Sequence, residues 1–407
     1  MATNAKNIAE LLNTDTTVKV GDIEDGSVTT AKLAANAVTS AKALNLGRRN
    51  ILINGDMQIA QRSTSLAMAH DGNTSNLVVD RFRMALGGTH EQLDGTMAQV
   101  AEHPLSNGLA KSLKWTTGTP ETSYDADEYV YFTQIVEARN AQHLNWGTSN
   151  AKSVTVSFYV KSSITGTYAL GIYKEDSPVR IFNKTYTISS ANTWEKKIIT
   201  FAGDTAGGGI ANDNGRGFYV NWHLSAGANA KGGGSTSGWK NYSGLSDWAD
   251  GQATNAVMTT GGATWQMTLC QMEVGSASTD FEHRSFGEEL ALCQRYFYKT
   301  YDYDDAVGTG TSAGAIFSRV YGNSAVSNIP QAARYKVTMR HNPTVTVYSL
   351  NGTSGNISDC GTGYSHTADD AIGISGTNGH DGWSKLNSVS VTAGDIIALQ
   401  FTAEAEL

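Results

Sequence analysis

The chain has 407 residues, enough for two or three ordinary domains, and a formal net charge of -8. Its 43 glycines against 5 prolines, with only 17% charged residues, describe a β-rich protein full of tight turns; a helical enzyme would hold more Glu, Lys and Leu. The acidic balance and the lack of any basic run argue against a nucleic-acid partner, and Cys270, Cys293 and Cys360 indicate neither a disulfide framework nor a zinc site, reading instead as buried thiols of a protein made in a reducing cytoplasm.

The N-terminus has no apolar core of the kind a secretion signal needs, and no stretch approaches the length of a membrane span, so membrane insertion is not expected. Ile8, Leu11 and Leu12 suggest one short helical turn. Within residues 1–45, Val28 to Leu33 is nearly repeated at Val38 to Ala43, a spacing of ten. Each copy is too small to bury an apolar face except against copies in other chains, which predicts an intertwined trimerisation stalk; the alternative is a disordered linker.

From residue 46 to 285 the text reads as strands. Val154, Val156, Phe158 and Val160 alternate with Thr155, Ser157, Tyr159 and Lys161, the period of a sheet with one buried face. Phe218, Val220, Trp222 and Leu224 repeat the pattern. Leu113 to Thr116, Tyr129 to Val136, Tyr168 to Tyr173, Thr185 to Ile188, Lys196 to Phe201 and Trp265 to Met272 add further strands between Gly, Asn and Asp turns, which predicts a jelly-roll β-sandwich. Ser285 and Glu288 have capping-box spacing, and Leu290, Cys293 and Phe297 share one face, so a short helix is expected over residues 286–299. Residues 300–407 read as a second antiparallel β-sandwich, with strands Ala315 to Val320, Tyr335 to Met339, Thr344 to Leu350, Ser388 to Val391 and Ile396 to Thr402. Ala393-Gly394-Asp395 suggests a hairpin between the last two, and Asn351 to Asn387 a long recognition loop. The fold class is all-β.

The run QMEVGSASTDFEHRSFGEELALCQRYF resembles a hinge of bacteriophage tail-fibre proteins, written QLEVG, a turn, PFE-RS and ELALCQRYY. NILINGDMQI at Asn50 to Ile59 and MRHNPTVTVYS at Met339 to Ser349 extend the resemblance over most of residues 46–407. The phrase DGSVTTAKLAANAVTSAKAL is similar to the tail-proximal repeats of such fibres, and the first β-domain is similar to jelly-roll carbohydrate-binding modules. What the resemblance implies is a homotrimeric tail fibre in the virion. Residues 1–45 would attach to tail or baseplate proteins, and the β-domains would bind a bacterial surface polysaccharide. Jelly-roll modules often hold a structural calcium near the first and last strands; the resemblance places Asp56 and Glu273 at such a site, although Gln271 and Glu273 replace the usual acidic pair.

Exposed aromatics beside Asn, Asp and Gln suit sugars, because a flat ring covers the apolar face of a pyranose. Trp115, Trp146, Trp222, Trp239, Tyr242 and Trp248 form the set that could supply such faces, each with core filling as the alternative, and Trp222, on the apolar side of an alternating strand, reads as core. Trp239, Tyr242 and Trp248, in the loop Gly238 to Gly251, are candidates, though related fibres imply a structural plug there. His366, Asp369, Asp370, His380, Asp381 and Trp383 are the candidates of the distal unit, while Tyr301 to Asp305 reads as a solvated acidic turn. No G-x-S-x-G elbow, H-E-x-x-H helix, Cys/His pair or solenoid repeat occurs, so binding without catalysis is expected. A virion adaptor and a short depolymerase are the alternatives.

Overall fold

The computed structural model describes residues 48–69, 76–105, 111–321, 326–364, 367–371, 373–374 and 379–407. The repeat of residues 28–43, with its expected stalk, and His366 lie outside the described residues. Among the described residues no helix is long and apolar enough to cross a membrane. The protein is all-β, built of antiparallel sheets with few helical turns.

The first sandwich uses β1 (Ser65–Met68), β2 (Asn76–Leu77), β3 (Arg83–Gly87), β4 (Gly95–Val100), β5 (Ser112–Thr117), β6 (Tyr129–Glu137), β7 (Val154–Ser162), β8 (Gly166–Lys174), β9 (Arg180–Ile188), β10 (Glu195–Phe201), β11 (Arg216–Ala226), β12 (Lys240–Asn241) and β13 (Thr264–Val274). A front sheet in the order β1-β4-β5-β13-β7-β10 faces a back sheet in the order β12-β9-β8-β11-β6-β3-β2. The expected alternation is what packs them. Val154, Val156, Phe158 and Val160 of β7 meet Phe218, Val220, Trp222 and Leu224 of β11 in one core, each burial stabilising the fold by roughly 1.5–3 kcal/mol. Trp115, Trp146 and Trp222 belong to that core.

The other face of the back sheet is also covered. Ile135 and Tyr219 lie under Cys293, Tyr296 and Leu407, while Tyr131 and Ile181 lie under Ala230, Trp248 and Ala249.

Residues 49–55 close the sandwich by binding the last strand. β13 slips register between Thr268 and Gln271, with Leu269 at φ 51°, so Cys270 turns its backbone away from β7. Its N–H donates to the Gly55 carbonyl at 2.8 Å and its C=O accepts from Asn50 Nδ2 at 3.0 Å. Gly55 is required there, because a Cβ would stand 2.0 Å from the Cys270 oxygen. Asn50 Oδ1 also accepts from Met272 N and Leu52 N, both at 3.0 Å. Glu282 accepts from the backbone N–H of Arg49 and Asn50, and Glu289 from that of Asn54. Two of the stretches that carry the fibre resemblance, Asn50 to Ile59 and the hinge run, thus form a single clasp.

The helix spans Phe286–Gln294, with Ser285 and Glu288 forming a complete capping box. It stops short of residue 299, because Phe297–Lys299 is recruited as strand β14 by the C-terminal strand. The distal unit continues with β15 (Ile316–Arg319), β16 (Val326–Arg334), β17 (Thr344–Tyr348), β18 (Asn356–Asp359), β19 (Ala368–Ala371), β20 (Gly373–Ile374), β21 (Gly382–Val391) and β22 (Ile396–Glu404). β22 is its spine: residues 400–404 pair with β14 and β17, and residues 396–399 with β15 and β18. Three of the distal expectations are corrected. Tyr335 to Met339 is not a strand; β16 precedes it. β21 and β22 form no hairpin: at the turn between them Gly394 N donates to the Val320 carbonyl and Val320 N donates to the Asp395 carbonyl, and β21 lies in the other sheet, where it pairs β16 and β20. The expected loop of residues 351–387 contains β18, β19, β20 and the start of β21.

Candidate functional site

The outer face of the back sheet carries a strip of aromatic residues running into a cleft lined by arginines. Side chains alternate along β6, so Tyr129, Tyr131, Thr133 and Ile135 point the same way. Tyr129 stacks on Tyr131 with centroids 5.9 Å apart, and Tyr131 meets Trp248 edge-on at 5.4 Å. From β8, Tyr173 contacts Trp248 at 5.1 Å, Tyr242 at 5.3 Å and Tyr219 of β11 at 5.4 Å. Tyr129, Tyr173 and Tyr242 are half-buried and reach the surface. Burial pushes the Tyr219 and Tyr242 phenols up to about 12, so both keep their protons as hydrogen-bond donors. Beneath Trp248, burial pushes His223 down to about 3, which keeps the ring neutral.

Tyr219 joins the strip to the cleft. Its hydroxyl donates to Glu175 at 3.0 Å and accepts from Arg216 at 3.0 Å, and the Arg83 guanidinium lies 5.9 Å over its ring. The cleft, about 520 Å³, is floored by Thr133 and Ile135 and flanked by Arg62, Arg81, Arg83 and Arg216. Glu404 and Glu406 of the distal unit close it, paired with Arg62 (2.8 Å) and Arg81 respectively. Arg81 is further fixed by its place 3.5 Å over the Tyr296 ring. Asp80 also pairs with Arg62 at 3.4 Å and Glu175 with Arg216 at 3.5 Å, so the four guanidiniums stand among four carboxylates and their charge is largely matched.

Of the residues expected from sequence, Tyr242 and Trp248 are part of this strip. Trp239 is not: its Nε1 donates to the Ala202 carbonyl at 2.7 Å and its ring packs on Trp146 and Phe182, anchoring the loop to the core. Trp383 is a correction too, since it lies 2% exposed in the distal core, 5.5 Å from Phe401. Asp369, whose Oδ2 accepts from Thr353, stands on β19, as does Asp370. His380 and Asp381 stand before β21, bound to the Met339 carbonyl and the Thr338 hydroxyl. The distal candidates therefore belong to different sheets. In the acidic turn, Lys299 donates to the carbonyls of Tyr303 and Asp305, and Tyr303 docks on Gln58 and Ala60. Asp56 and Glu273 join no group of three metal-ligating side chains among the described residues. Glu273 accepts from Gln271 and from the Thr279 amide and hydroxyl, and Asp56 is buried with Oδ1 unpartnered. The arginine cleft was not foreseen, because its four arginines are spread along residues 62–216 and only the sheet assembles them.

No protein-family profile matches the chain and no curated protein matches it by sequence. Among solved structures, tailspike protein 4 of bacteriophage CBA120 is similar over 56% of this chain at 12% identity with a TM-score of 0.30, a match spanning 21% of the tailspike chain. A family 11 carbohydrate-binding module from Clostridium thermocellum, solved with a β-1,3-1,4-mixed-linked tetrasaccharide, matches 54% of this chain and 99% of its own at 10% identity and a TM-score of 0.25. The N-terminal cellulose-binding domain of Cellulomonas fimi β-1,4-glucanase C matches 48% and 90% at 11% identity and 0.24.

Proposed function

We propose that the protein is a phage tail fibre of the virion, made in the host cytoplasm and assembled as a trimer, that binds an acidic bacterial surface polysaccharide without cleaving it. The carrying observation is the row of half-buried Tyr129, Tyr173 and Tyr242, backed by the buried Trp248 and Tyr219, that leads to the arginine cleft. Aromatic faces take the apolar faces of successive sugars, phenol hydroxyls take their OH groups, and guanidiniums take carboxylate or phosphate substituents bidentately. Both glutamates of the cleft are ion-paired with arginine, which favours binding over acid-base catalysis. Three such sites on one axis raise the effective concentration, so single-site affinity need not be high.

Affinity electrophoresis of the full chain in gels cast with acidic capsular polysaccharides tests this, with neutral mixed-linked β-glucan as comparison. Retardation by an acidic polymer, reduced at least tenfold in apparent affinity by Tyr242→Ala, is the expected result. Equal retardation by the neutral polymer, no retardation by any of them, or shortening of the polymer on incubation would each overturn the proposal. Light scattering should give three times the chain mass.

A further inference from the structure

A second cluster lies away from the cleft, between the β3–β4 connection and the residues that lead into β6. His90, Glu121 and Glu128 each present a ligand atom within 4.8 Å of the other two, and all three are buried. His90 Nδ1 stands 3.6 Å from Glu128 Oε2 and 3.9 Å from Glu121 Oε2, and the side chains are at most 1% exposed. Glu121 Oε2 accepts from the backbone N–H of Glu91, Gln92 and Leu93, and Glu128 Oε2 from that of Asp125. The remaining oxygen of each carboxylate, Oε1, is buried with no donor.

Two adjoining carboxylates, removed from water and with half their oxygens unused, are costly without a countercharge. No Lys or Arg is ion-paired with either carboxylate among the described residues; the neighbour able to carry positive charge is the His90 imidazole, which offers at most one charge against two. A divalent ion would supply both. We propose that His90, Glu121 and Glu128 form a structural metal site for a zinc-type divalent cation. One imidazole nitrogen and two carboxylate oxygens suit Zn²⁺, whereas Ca²⁺ takes an all-oxygen shell.

The site sits where it would hold the aromatic strip. Glu128 is followed directly by Tyr129, and its carbonyl accepts from Gly227 N at 2.7 Å. The Ala126 carbonyl accepts from Asn229 N, and the Ala230 carbonyl from Ala249 N, next to Trp248. A metal that fixes residues 121–128 therefore fixes the base of the loop bearing Trp248.

The test uses the full chain, stripped with a chelator and titrated with ZnCl₂ by calorimetry and thermal unfolding. One Zn²⁺ per chain is expected, with a melting temperature raised on the order of 5 °C at a hundredfold excess over Kd. Glu128→Gln keeps an acceptor for Asp125 N–H and removes one charge. Zinc affinity should fall at least a hundredfold, while the metal-free variant melts at or above the metal-free parent. Glu102→Gln, at an exposed carboxylate, should change nothing. If Glu128→Gln does not fold, X-ray absorption of the zinc-loaded parent decides: nitrogen and oxygen ligands at about 2.0–2.1 Å are expected. No zinc uptake, undiminished uptake by folded Glu128→Gln, sulfur in the absorption spectrum, or preference for Ca²⁺ over Zn²⁺ would each overturn the proposal.

Discussion

Replacing Asn50 by Ala tests whether the clasp holds the first sandwich shut. The side chain serves three buried backbone groups at once: it donates to the Cys270 carbonyl and accepts from Met272 N and Leu52 N, all at 3.0 Å. Ala leaves two amides and one carbonyl without partners in a site where Asn50 itself is 5% exposed. At about 1–3 kcal/mol for each stranded group, with some water re-entry, the loss is roughly 3–6 kcal/mol. That is a large share of the 5–15 kcal/mol by which domains are usually stable. Urea unfolding followed by tryptophan fluorescence reads the effect; at a slope of about 3 kcal/mol/M the midpoint should fall by about 1–2 M. A shift under about 0.3 M at unchanged slope would refute the reasoning, and the segment would then be only laid on the sandwich.

Trp383→Ala empties a core position and should cost about 3–5 kcal/mol in unfolding while leaving polysaccharide retardation unchanged; lost retardation with normal stability would restore it as a binding residue. Arg216→Ala, at a side chain 44% exposed, should weaken binding to an acidic polysaccharide about fivefold at low salt, a difference that shrinks towards nothing at 0.5 M NaCl as screening shortens to a few ångströms, and it should not move the melting temperature. Burial, then Glu289, raises the Asp56 carboxyl to about 6. An acid raised by folding stabilises the folded state while protonated, so that contribution is complete below 3.8 and is lost as pH rises through about 6. Asp56→Asn should therefore melt higher than the parent at pH 7.5 and no higher at pH 3.5; a gain of equal size at both would show that the charge is not the cause.

Strands whose pattern is local were legible: the alternation of Val154 to Val160 and of Phe218 to Leu224 predicts their faces, and Ser285 with Glu288 predicts the helix start. What failed was long-range. Ala393-Gly394-Asp395 has the composition of a hairpin turn, yet composition does not say which sheet receives the next strand, and β22 is claimed by β14, β15, β17 and β18. Trp383 was hidden for a related reason: Gly, Ser and Asn around it suggest a loop, but Trp383 and Leu386 both enter the distal core. Trp248 could be found as a loop aromatic, whereas Arg62, Arg81, Arg83 and Arg216, like His90 with Glu121 and Glu128, have no spacing to betray them. Their proximity is a property of sheet order.

The clasp also has a mechanical meaning. A load entering the chain at Arg49 meets hydrogen bonds to Glu282 at residues 49 and 50, to Glu289 at residue 54 and from Arg284 to the carbonyls of residues 50 and 52, all before the first strand. Those partners lie on the helix and on the segment just before it, which continue into the distal sandwich. Tension would thus be divided at once between both sandwiches, so that a pull on the chain stretches neither of them alone.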